Sequence, residues 1–406
     1  MVLGIIAEYN PFHNGHLYHL LKSKEEAKAD SVIAVIGGNF TQRGEPSLVD
    51  KWTKAEMAIA NGADLVIELP TIYSVSSAEN FADGAIKILN SMKIVNSVSF
   101  GTETEDLNKL NIIANVLYKE PKEYKDILSE KLKKGQSFPK AREEALVKYL
   151  NDKNYSLLLS SPNNILAIEY LKALKKHSSK IKPICIKRKD AGHLSLEYTG
   201  QIASATAIRE LIRKNRTKDI KTYLTPASFT ILADEIKKDH YINSISTFEK
   251  IMIYNLRNMS LQEIANLPDV SEGLENLIKK AANSCNTVHE FINIVSSKRY
   301  TETRIRRILL YSLLKITKKD IDISKKTTPY IRVLGFNETG KHLLSKISKA
   351  NPRLNIVTSV KKFEDTNINK NLKTMLDKDI FATNVYTLGY DSDSWSNLDY
   401  TKKIIE

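Results

Sequence analysis

Through its first hundred residues the chain alternates short apolar runs with stretches of helical length, a rhythm that fits a parallel sheet covered on both faces. Residues 3–7, 31–37, 64–69 and 95–101 read as strands, and residues 15–29, 50–61 and 78–91 as the helices between them. These strands are largely apolar, as strands buried on both faces must be. The expected core is a doubly wound, Rossmann-like α/β fold.

The pattern changes three times further on. Residues 104–160 turn helical and charged, an insertion on the core, after which a helix from 161 to about 176, a strand at 184–187 and a helix opened by Ser204 resume the α/β signature. We therefore read residues 1–215 as one catalytic domain. Residues 216–325 lose their strands and keep helical periodicity, for instance Phe248, Ile251, Met252 and Leu256. The last stretch, 326–406, regains strand-like runs at 331–336 and 354–360 around a helix at 339–350, and is expected to form a small α/β C-terminal module.

Composition narrows the function classes. The chain has no run of about 18 consecutive apolar residues and no basic segment leading into a long apolar one, so neither a membrane span nor a secretion signal is expected and the location is read as cytoplasmic. Its two cysteines, Cys185 and Cys285, have no CxxC spacing and read as reduced thiols. The net charge is +14, unevenly spread: residues 1–110 carry 9 Lys and Arg against 14 Asp and Glu, leaving the rest strongly basic. Such asymmetry fits a polyanionic partner held by the later regions, nucleic acid first, although a Lys-rich solvated surface gives the same balance.

The residues that carry chemistry gather at strand ends. His13 and His16 of a His-x-Gly-His pattern stand in the first turn of the first helix, three apart and on one face. A helix start exposes unpaired N–H groups and favours anions, and Gly15 lets a ligand approach the backbone, so the place reads as a phosphate cradle. Two donors beside an α-phosphate suit nucleotidyl transfer, where charge builds on the phosphoryl oxygens. No third metal ligand stands nearby, so no metal site made of protein side chains is expected.

The loop at 37–46, with Arg43 in it, follows the second strand, at the sheet edge where open α/β folds bind ligands. Gly101, Asn163 and Arg188, the last within the basic run 187–189, fall at the same edge, and Ser204 and Thr206 at a helix start are possible phosphate ligands. Arg304, Arg306 and Arg307, close to Tyr300, are possible RNA contacts, or simply a charged helix face.

These motifs resemble the tRNA(Met) cytidine acetate ligase family within the HIGH-type nucleotidyltransferase superfamily. The similarity runs through 8–16, 38–46, Asp50-Lys51-Trp52, 64–70, 161–164, the Ser204-to-Arg209 motif and 300–307. It implies that ATP and acetate form acetyl-adenylate and pyrophosphate, and that the acetyl group passes to N4 of the wobble cytidine of elongator tRNA(Met), magnesium arriving with ATP. It also implies ATP contacts from Ala7-Glu8-Tyr9-Asn10-Pro11-Phe12-His13-Asn14-Gly15-His16-Leu17-Tyr18-His19-Leu20, joined by Gly101, Asn163 and Arg188, with His13 and His16 catalytic. Ala205 stands where the superfamily usually has a second serine. The residues alone leave two other readings open: an enzyme that adenylates a different small carboxylate or phosphate, and a non-catalytic RNA-binding protein with a nucleotide-sensing pocket.

Overall fold

A single seven-stranded sheet organises the chain, in the spatial order β5-β4-β1-β2-β3-β6-β7. The strands are β1 (Val2–Ala7), β2 (Ser31–Gly37), β3 (Leu65–Leu69), β4 (Ser97–Thr102), β5 (Lys182–Lys187), β6 (Ile331–Phe336) and β7 (Ile356–Val357). All neighbours run parallel except β3 and β6, which are antiparallel. The computed structural model describes residues 1–188, 202–242, 244–271, 273–366, 369–392 and 395–406.

Strand periodicity of two divides the core. Ile33, Val35, Leu65 and Ile67 pack into the cluster on one face, while Val32, Ala34, Ile36 and Val66 pack into the cluster on the other. Every residue of β2 and β3 is buried, which is why those runs lack polar alternation. The helix Asn14–Glu26, which we call α1, follows β1; α2, Lys51–Ala60, links β2 to β3. Four helices lie between Leu107 and Ser160, and Leu110, Ile113, Tyr124 and Leu146 from them pack into the same core cluster as one face of β2 and β3. The 216–325 stretch is helical, and the core around its Phe248, Leu256, Phe291 and Leu309 also takes in Phe40 and Val75 from the first region and Ala382, Val385 and Tyr386 from the tail.

The tail is α/β, as expected, but its strands extend the core sheet rather than forming another one. β6 lies along β3, and β7 along β6; the expected strand at 354–360 is reduced to two residues before a helix starts at Val360. Without β6 the fully buried β3 would present an unpaired edge.

A buried ionic network seals this join. Lys51 Nζ donates to both Glu68 carboxylate oxygens (3.0 and 2.9 Å) and to Asp399 (2.7 Å), and Arg332 donates to the same Asp399 carboxylate at 3.3 Å. Burial opposes the Lys51 charge, but Asp399 and Glu68 hold it as ammonium. Asp379 accepts from the Thr71 amide at 2.6 Å and from the Tyr330 hydroxyl. Charges this deep are tolerated only when paired, so the network specifies where the tail docks.

Among the described residues no helix is long and apolar enough to cross a membrane.

Candidate active site

The His-x-Gly-His segment leaves β1 at the middle of the sheet and turns into α1. His13 is the N-cap of α1: its Nδ1 accepts from the Gly15 amide at 3.0 Å, while its own amide donates to His16 Nδ1 at 3.3 Å. This reciprocal capping satisfies two of the orphan donors of a helix start. It also stacks the two imidazoles, their centroids 3.7 Å apart and their planes 21° from parallel. Gly15 is required here, because a Cβ at that position would sit 2.9 Å from the His13 ring.

The capping decides the protonation of both rings. With each Nδ1 accepting, the proton sits on Nε2, so each neutral imidazole keeps one N–H to donate to a ligand. Burial, reinforced by the Arg188 charge, pushes His13 down to about 3. Burial and the neighbouring His13 take His16 well below the usual imidazole range. Burial likewise holds His19 down, at about 4, with its Nε2 3.2 Å from the Ser99 hydroxyl. His13 is buried, whereas His16 keeps part of its surface open. At neutral pH the pair is therefore a neutral double donor at a helix N-terminus, which also favours anions.

Gly101, Asn163 and Arg188 come together around Glu103, at the ends of β4 and β5. Asn163 donates to Glu103 Oε1 at 2.5 Å, and Arg188 Nε lies 3.7 Å from the same oxygen. A Cβ on Gly101 would be 3.4 Å from the Arg188 side chain, so the glycine leaves room for that arm to fold back. Lys189, which ends the basic run, lies outside the described residues. Across the site, Ser204 caps the Ala205–Arg213 helix by accepting from the Ala207 amide at 3.1 Å. Thr206 accepts from Arg209 at 3.3 Å, and Arg209 donates in turn to the Asn10 carbonyl at 2.9 Å.

Two positions the sequence reading passed over hold the site together. Lys54, on α2, is wholly buried with its Nζ surrounded by four neutral oxygens: the carbonyls of Gly37 and Gly38 (both 2.6 Å), the Ser47 hydroxyl (3.0 Å) and the Glu8 carbonyl (3.2 Å). One ammonium thus ties the end of β1 to both ends of the 37–47 loop. Glu45, at the tip of that loop, is paired with Arg209 and Arg306. A lysine three residues after Lys51 in a helix of buried alanines was the available signal; nothing local marked Glu45.

Arg304, Arg306 and Arg307, named above as possible RNA contacts, each have partners within the protein. Arg304 donates to the Asp269 carbonyl (2.8 Å) and to Ser271, and lies over the Tyr300 ring; Arg307 pairs with the Asp269 carboxylate at 2.8 Å; Arg306 pairs with Glu302 and Glu45. Each arginine finds its acceptor within the protein, because their helix, Glu302–Leu314, lies against Asp269 and against the Gly44–Glu45 turn.

Comparison with known proteins bears on the same region. A family model described as HIGH Nucleotidyl Transferase matches residues 1–399. The chain is 49% identical over 409 residues to the tRNA(Met) cytidine acetate ligase of Thermoanaerobacter sp. (strain X514), covering all of this chain and 99% of that one. It belongs to the tRNA(Met) cytidine acetate ligase family. Another relative of that name, from Caldanaerobacter subterraneus subsp. tengcongensis, is 48% identical over 408 residues, covering all of this chain and 99% of that one. Among solved structures, Thermotoga maritima TmcAL bound with alpha-thio ATP superposes with a TM-score of 0.93 at 35% identity, covering 100% of this chain and 99% of that one. The apo form of the same protein gives 0.94. The whole fold, sheet-extending tail included, is thus similar to that of a solved protein that has been seen with a nucleotide analogue.

Proposed function

We propose that this chain is an ATP-dependent ligase that activates acetate as acetyl-adenylate and transfers the acetyl group to N4 of the wobble cytidine of elongator tRNA(Met). In the first step an acetate oxygen attacks the α-phosphorus, the bond to the bridging β-oxygen breaks and pyrophosphate leaves. In the second, N4 attacks the acetyl carbonyl, AMP departs and N4 gives up a proton. Acetate acylates an amine only once its oxygen is joined to a good leaving group. The observation that carries this reading is the stacked, neutral His13–His16 pair at the start of α1: two Nε2–H donors fixed beside an anion-favouring helix end, as charge building on an α-phosphate requires.

In this reading the segment from Ala7 to Leu20 holds the triphosphate, Gly101, Asn163 and Arg188 form the nucleoside side, and the Ser204 helix start faces the departing pyrophosphate. No three His, Cys, Asp or Glu side chains converge on one position among the described residues. Magnesium is read as arriving with the nucleotide. In this reading the basic surplus beyond residue 110 contributes the charge that attracts the tRNA.

Incubation with ATP, carboxyl-labelled acetate and tRNA(Met) tests the transfer. Label is expected in the RNA, recovered as N4-acetylcytidine after nuclease digestion and only when ATP is present. Label recovered in no nucleoside, or incorporated without ATP, refutes the proposal.

A further inference from the structure

We propose that Glu45 is a positioning residue through which the helical region sets the geometry of the adenylation site. The proposal rests on the adenylation reading above and extends it to a part of the chain far away in sequence. Glu45 uses its two carboxylate oxygens on two different elements. Oε2 lies 3.3 Å from an Arg209 guanidinium nitrogen on the Ala205–Arg213 helix, and Oε1 lies 3.2 Å from Arg306 on the Glu302–Leu314 helix. Arg209 continues the chain of contacts to the Asn10 carbonyl at 2.9 Å, three residues before His13.

The loop around Glu45 is held as closely as its side chain. Gly44, at φ +80°, packs against the Arg306–Arg307 backbone so tightly that a Cβ there would come within 2.5 Å of Arg306 Cβ. Its amide donates to the Thr41 carbonyl at 3.0 Å, closing the turn, and the Gln42 amide donates to Glu8 Oε1 at 2.7 Å. The turn at 41–45 is thus fastened to the residue after β1, to the Ala205–Arg213 helix and to the helical region. The side chains of Arg209, Glu45 and Arg306 are only 10%, 23% and 23% exposed, so these are not the solvated pairs that contribute little. Burial works against the Arg209 charge, and Glu45 is the first of the carboxylates opposing it. Loss of Glu45 therefore leaves Arg209 without its ionic partner while it still carries the backbone of the histidine loop.

The test measures acetate-dependent ATP–pyrophosphate exchange and thermal unfolding for Glu45→Gln, for Arg306→Met, which approaches the same bond from outside the ATP site, and for the double variant. Each single change is expected to lower kcat about tenfold, with KM for ATP changed much less, because a small displacement at the reacting centre costs rate before it costs binding. The double variant should be no worse than Glu45→Gln alone, since loss of the Glu45 carboxylate already breaks its pair with Arg306 as well as its pair with Arg209. Glu45→Asp should recover part of the loss. Either single variant retaining wild-type kcat, or a loss explained entirely by unfolding at the assay temperature, overturns the role of Glu45. Absence of exchange in the wild type overturns the adenylation reading instead, so the two failures are distinguishable.

Discussion

His16→Ala is expected to lower acetate-dependent ATP–pyrophosphate exchange by about a hundredfold or more, the scale of losing one preorganised donor to developing charge. The reason lies in the capping geometry. His16 Nδ1 is occupied by the His13 amide, so the ring has one proton to offer, on Nε2, and part of its surface is open to a ligand. The substitution also removes an acceptor from the helix start, and His16→Asn, whose side-chain oxygen can take over that cap, separates the two effects. Both variants should lose exchange, and the asparagine variant should keep the wild-type melting temperature. The pH dependence follows from the same geometry. Because burial holds His13 at about 3 and His16 well below its usual range, wild-type exchange should show no acid limb near the ordinary imidazole value of about 6.5. Asparagine retaining wild-type exchange, or an acid limb near that value which disappears in the variants, contradicts a neutral donor pair.

Lys54→Met carries the second large effect. Methionine fills similar space but leaves the Gly37, Gly38 and Glu8 carbonyls without the buried donor they share. Part of that loss is offset because a buried charge no longer has to be desolvated, so we expect a net destabilisation of about 1–3 kcal/mol at neutral pH. The pH dependence has a definite sign. Burial lowers Lys54 from 10.5 to about 8, so between those values the unfolded chain binds more protons than the folded one, and wild-type stability rises with pH. Chemical denaturation should therefore show the deficit of Lys54→Met widening from about pH 8 to about pH 10.5. Exchange should fall at the same time, since both loops beside the histidine pair lose their shared brace. A deficit that is flat or narrows over that range would show that Lys54 is not the buried ammonium described.

How much of this was legible beforehand depended on whether a residue acts within its own element. β2 and β3 were readable because burial on both faces leaves an unbroken apolar run, and Ser31–Gly37 and Ala78–Ser91 fall where periodicity puts them. His13 and His16 were readable because a spacing of three at a helix start places both rings on one face. Lys54 was not: its partners come from residues 8, 37, 38 and 47, and in the sequence it is one more polar position on a helix. The partners of the arginines at 304, 306 and 307 were not legible either, because Asp269 and Glu45 are separated from them by dozens to hundreds of residues. The tail looked self-contained for a related reason, since its pairing with β3 and the ion pair from its Asp399 to Lys51 join residues more than 250 apart.

Exchange of labelled pyrophosphate into ATP, with and without acetate and in the absence of tRNA, tests the adenylation site most directly. Exchange that requires acetate and disappears in His16→Ala is the expected result. No exchange with acetate present, or exchange at the same rate without it, contradicts activation of acetate at the His13–His16 helix start.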